Sequence, residues 1–217
     1  MPHHIGIVAC SAEGAALCYR TICAEGAQLL GPHAHPEVSM HTPSLAEYVE
    51  CLDRGDWQGV GERMLASAGK LAKIGADFLI CPDNTIHQAL ADVEPRSPLP
   101  WLHIARVVAD EAAGRGLRRL GLTGTRWLVD SAVYPDPLAA RGLACVRPST
   151  AERAEINRII MDELVRGVAT PGGPVWGRAG LIGVGRPCGV GRPCKKPPAG
   201  GLAGVRQTTL RASRSRR

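Results

Sequence analysis

Up to about residue 168, short apolar runs alternate with longer stretches in which apolar residues recur every three or four positions. "IGIVAC" (5–10), "DFLIC" (77–81), "LGLTG" (120–124) and "LACV" (143–146) are near-continuous apolar runs, as expected of strands buried on both faces. A further extended piece covers "PEVSMH" (36–41). Trp57, Val60, Met64, Ala68 and Leu71 predict a helix over 57–75, capped by Asp56. Ile156, Ile159, Ile160, Leu164 and Val168 predict another over 151–168, with Ser149 and Glu152 of "STAE" forming a capping box. Strands alternating with helices make βα units. The predicted fold class is therefore α/β, with parallel sheets flanked by helices.

In such sheets a ligand sits beyond the carboxyl ends of the strands. Polar residues stand at three of those ends: Ser11, then Asp83-Asn84-Thr85, then Thr123-Gly124-Thr125. Any one of them alone reads as a helix cap, because Ser, Thr, Asp and Asn lead at that position. Three together, with His87 one turn along, point to a polar pocket. The stretch "LICPDNTIHQAL" (79–90) concentrates this chemistry, with Cys81 two residues before Asp83.

Composition divides the chain in two. The formal net charge is +6, yet residues 171–217 hold ten Lys and Arg and no acid. The first 170 residues therefore carry 16 basic against 20 acidic side chains, a net −4. The last 47 residues contain eleven Gly and six Pro, and repeat "GVGRPC" at 183–188 and 189–194. That load of Gly and Pro predicts a disordered basic tail. It reads as a foreign or out-of-frame C-terminus rather than a nucleic-acid-binding arm. No apolar run approaches the ~20 residues needed to cross a bilayer, and the start lacks a basic signal-peptide region. A cytoplasmic protein with no membrane partner is expected. Its eight cysteines include no CxxC pair and read as reduced, mostly buried thiols. His33, His35 and His41 lack metal-ligand spacing, and "GLTGTR" lacks the Lys-Ser/Thr ending of a phosphate loop.

"IGIVACSAEG" at the start, "GADFLICPDNTIH" (75–87), "RRLGLTGTRWLVDSAVY" (118–134) and "LAARGLACVRP" (138–148) together resemble the aspartate/glutamate racemase superfamily. The resemblance implies two similar Rossmann-like lobes, here 1–97 and an incomplete 98–170, with the last family elements missing and the tail at 171–217. It also implies an isomerase that needs no cofactor and acts on a small-molecule carboxylate or amino acid; a homodimer is one assembly left open for the chain. Family members move the α-proton with two cysteines on opposite faces and hold the α-carboxylate by amide and hydroxyl donors. On that resemblance, Ser11, Asn84, Thr85 and Thr125 are the expected substrate-binding residues; His87 either joins them at a substrate carboxylate or faces the first helix turn.

Two departures matter. The family's first cysteine directly precedes the Asn-Thr pair, where this chain has Asp83, so Asp83 is the expected catalytic residue and Cys81 a buried strand thiol. A carboxyl of ordinary pKa ~3.9 is a weaker base than a thiolate of ~8.5, unless burial raises it. The second cysteine belongs to a Gly-Cys-Thr motif that this sequence does not contain; Cys188 precedes Gly189 and Cys194 precedes Lys195. The expectation is a racemase- or epimerase-like protein impaired in two-sided proton exchange. A related isomerase or decarboxylase with one acid/base, or a non-catalytic truncated member, is the alternative.

Overall fold

The run at 5–10 forms β1 (Ile5–Val8), flanked on one side by β2 (Val38–His41) and on the other by β3 (Phe78–Ile80). All pairs are parallel: Ile5 lies opposite Val38 and Phe78, and Ile7 opposite Met40 and Ile80. A short β4 (Trp101–Leu102) completes a four-stranded sheet in the order β2-β1-β3-β4. A second parallel pair, β5 (Arg119–Gly121) and β6 (Ala144–Val146), forms its own sheet. The computed structural model describes residues 3–168, all of them in one compact unit. The predicted tail at 171–217, its repeat, Cys188 and Cys194 lie outside those residues.

Connecting helices cover the sheets. They are α1 (Ala12–Leu30), α2 (Leu45–Arg54), α3 (Trp57–Lys73), α4 (Leu90–Val93), α5 (Ile104–Gly114), α6 (Arg126–Val129), α7 (Pro135–Ala140) and α8 (Thr150–Arg158). Successive residues of β1 point to opposite faces, and both faces are buried. Val8 and Cys10 join Tyr48, Met64, Leu71 and Leu79 on the α2/α3 side, whereas Ile7 and Ala9 meet Ala15 of α1. A third cluster, including Ala105, Ala109, Leu120, Leu128 and Leu138, holds α5, α6 and α7 against the smaller sheet. At Gly6 a Cβ would sit 2.7 Å from Leu79 Cδ2 and 3.1 Å from Ala76 Cβ, so a side chain there would collide with β3 and its approach.

The structure adjusts several expectations. The helix predicted over 57–75 stops at Lys73, and Asp56 caps it by accepting the Gly59 N–H at 2.8 Å. The Ser149/Glu152 capping box is present, but the predicted helix over 151–168 is α-helical only to Arg158. It widens into a π turn over Ile159–Glu163 and ends as a 3₁₀ turn over Leu164–Arg166. No side chain of this segment is fully buried and Val168 is half exposed, because the π turn breaks the regular face that the spacing implied. Trp101–Leu102, past the lobe boundary expected at 97/98, is an edge strand of the first sheet. Two residues after Pro100 are too short to declare a strand by pattern.

Candidate active site

In the larger sheet the chain leaves β1 towards β2 on one side and reaches β3 on the other. The carboxyl ends of β1 and β3 therefore border a topological switch point, where α/β sheets open a crevice. Ser11 and Asp83 meet there. The Ser11 hydroxyl donates to Asp83 Oδ1 at 2.7 Å, and the backbone N–H groups of Cys10 and Ser11 both donate to Oδ2 at 3.1 Å. Ser11 stands at the N-cap position of α1, yet its hydroxyl makes no cap hydrogen bond. Its partner is the carboxylate instead.

A carboxylate offers about four lone-pair sites, and three donors occupy three of them here. Both contacts on Oδ2 come from the backbone, so the open site is on Oδ1. Burial raises the Asp83 pKa above its ordinary value, while the hydrogen bonds from Ser11 and Cys10 pull against that rise. The net direction is upward, towards a better base.

Neither neighbouring thiol competes for the role. Cys81 is 2% exposed, sits in the core with Tyr48 and Leu79, and its S–H points to the Asp83 carbonyl at 3.6 Å. Burial first, and the Asp83 charge second, push both the Cys81 and Cys10 thiols well above their usual range. They stay protonated at neutral pH.

Asn84 opens the 3₁₀ turn Thr85–Ala89, and its side chain makes no cap hydrogen bond. Its Oδ1 accepts from the Tyr134 hydroxyl at 2.5 Å. Thr85 Oγ1 lies 2.8 Å from Thr125 Oγ1, which also accepts the Leu128 N–H at 3.3 Å as the cap of α6. Whichever threonine donates, one hydroxyl hydrogen of the pair is left for a ligand oxygen. Ser11 with Asp83, and Thr85 with Thr125, are thus direct partners at the strand ends.

His87 is differently placed. Its Nδ1 lies 3.0 Å from the Asp83 carbonyl and its Nε2 accepts the Ile104 N–H at 3.4 Å, so both ring nitrogens are engaged within the chain. Burial, then repulsion from His103, pushes its pKa down to about 3, which keeps the ring neutral, and the two contacts fix it as the Nδ1–H tautomer. The ring lies against His103, 4.9 Å between centroids. It also borders a cleft of about 610 Å³ lined by Gln88, His103, Arg106, Asp136 and Arg141 among others, but by none of Ser11, Asp83, Asn84, Thr85 and Thr125. The convergent chemistry is at the strand ends, and this cleft lies beside it.

Two contributors escaped the sequence reading: Tyr134 and Gln88. Gln88 Nε2 donates to the Thr85 carbonyl at 3.2 Å and to the Trp127 carbonyl at 3.1 Å, tying the turn to α6. Tyr134 stands in the quoted stretch 118–134, but a tyrosine among apolar residues reads as core. Among the described residues no group of three or more His, Cys, Asp or Glu could hold a metal ion, and no helix is long and apolar enough to cross a membrane.

Comparison with known proteins adds an independent line. The model of the Asp/Glu/hydantoin racemase family matches residues 6–171. Among solved structures the chain is similar to a Yersinia pestis protein assigned as an Asp/Glu racemase, at 28% identity and a TM-score of 0.69, over 78% of this chain and 74% of that one. It is likewise similar to an aspartate racemase homologue from Pyrococcus horikoshii OT3, at 28% identity and a TM-score of 0.64, over 76% and 73%. The Picrophilus torridus aspartate racemase shares the fold at 15% identity and a TM-score of 0.56, over 76% and 75%.

Proposed function

We propose, from the premise that the chain belongs to the Asp/Glu/hydantoin racemase family and is an isomerase by that membership, that it moves the α-proton of aspartate, glutamate or a similar small carboxylate with Asp83 as the acid/base. The observation that carries this reading is the Asp83 carboxylate at the switch point, raised in pKa by burial and left with an open site on Oδ1. Oδ1 takes the α-proton and becomes the acid. The electron pair passes into the substrate's own carboxylate, where the Asn84 amide and the free hydroxyl of the Thr85–Thr125 pair meet the added charge. Ser11 holds Asp83 in line, and His87 fixes the loop from behind through the Asp83 carbonyl. A single carboxyl serves one face of the α-carbon, so inversion by this chain is weak or absent. The same one-sided delivery suits a related isomerase or decarboxylase, and product analysis separates those reactions.

Replacing Asp83 by cysteine tests the assignment directly. The exchange rate of the wild-type chain should rise with pH through a carboxylate raised above its ordinary 3.8. In Asp83→Cys the rise should move towards the thiol range, roughly 8 to 9. An identical pH profile in both would remove Asp83 from the proton transfer.

A further inference from the structure

An asparagine that is to bind a carboxylate must present its N–H₂ end, and its two ends differ little in shape. The terminal torsion of Asn is broad and roughly two-fold, so something in the protein has to choose. Here the choice is made from the side of the smaller sheet. Asn84 comes from the loop after β3, whereas Tyr134 comes from the segment between α6 and α7 and packs among Leu120, Leu128 and Leu138. At 2.5 Å the contact suits O–H···O and is too short for N–H···O, so the phenol donates to the amide oxygen. The Nδ2 hydrogens of Asn84 then have no partner among the described residues, and the residue is only partly buried.

We propose that Tyr134 is a positioning residue for the reaction: its hydroxyl fixes the Asn84 amide by the oxygen and so turns the N–H₂ group to the substrate's carboxylate. The inference rests on the proposed function for its substrate, but the contact it names stands in the free protein. Burial raises the Tyr134 pKa, which keeps the phenol a donor throughout the neutral range. Because the acceptor follows β3 of the larger sheet and the donor packs with the cluster on the smaller one, the amide is oriented only when the two sheets keep their present relation. A site assembled this way binds carboxylate poorly if either side shifts.

Tyr134→Phe keeps the buried ring and removes only the donor. In the free protein the Asn84 side-chain N–H₂ pair, identified by its loss in Asn84→Ala, should shift and broaden in the proton–nitrogen spectrum. Calorimetric binding of aspartate or glutamate should weaken roughly fivefold, the scale of one hydrogen bond. In an Asn84→Ala background the tyrosine change should cost nothing further, because Tyr134 acts through Asn84. Additive losses, or an Asn84 signal unmoved by Tyr134→Phe, would overturn the proposal. A moved signal in a chain that binds neither amino acid would overturn the carboxylate-presenting role together with the proposed substrate, and leave only the coupling of the two side chains.

Discussion

Asp83 and His87 lie four residues apart and are shifted by the same cause to opposite ends. Burial favours the neutral form of each, which raises an acid and lowers a base. For His87 the consequence is a pH-dependent stability. Its folded pKa of about 3 lies below the ordinary 6.5, so the folded state binds fewer protons than the unfolded state between those values. Stability is complete above about pH 6.5 and declines as pH falls towards 3, by up to about 1.4 kcal/mol per unit from this one group. Urea unfolding of wild type and His87→Asn between pH 3 and 7 measures it, and the wild-type curve should be steeper by one proton. Parallel curves would mean that His87 titrates normally. Asp83 was legible in the sequence because it stands where the family has a cysteine and follows an apolar run. Its three donors were not legible, since two belong to the backbone of a turn 72 and 73 residues away.

At the scale of elements, legibility followed the size of the buried side chains. Helix α3 buries Val60, Met64, Ala68 and Leu71 at helical spacing, and both its face and its Asp56 cap could be read in advance. Helices α1 and α5 bury Gly14, Ala15 and Gly26, and Ala105, Ala109 and Ala112, respectively. A stripe of Gly and Ala leaves no apolar period to detect. The carboxyl ends of β1, β3 and β5 were readable because polar residues follow apolar runs, whereas β4 is two residues long. The Asp56 cap carries a prediction of its own. Asp56→Ala should destabilise the protein by about 1 kcal/mol in denaturant unfolding, as loss of a side-chain cap does. The loss should appear as faster amide exchange at Gly59. No change in either would mean that packing alone fixes the start of α3.

Across the whole molecule, Trp127 packs against the core around the larger sheet, and among the described residues four polar contacts join residues 125–134 to the side of that sheet. Thr85 meets Thr125, Asn84 meets Tyr134, Gln88 reaches the Trp127 carbonyl, and Arg126 pairs with Asp53 at 2.7 Å. The ion pair is more than half exposed on both sides and contributes little. The other three are partly buried and lie at the strand ends, so the contacts that join the two sheets also shape the proposed site. That arrangement leaves Asp83 as the single proposed acid/base, with no Gly-Cys-Thr in the sequence to serve the opposite face. Incubation of each enantiomer of aspartate and glutamate with the protein in heavy water tests this most directly, read by mass spectrometry for α-deuterium and by chiral chromatography for configuration. The expected result is deuterium uptake with retained configuration, lost in Asp83→Ala. Inversion as fast as uptake, or uptake that survives Asp83→Ala, would contradict it.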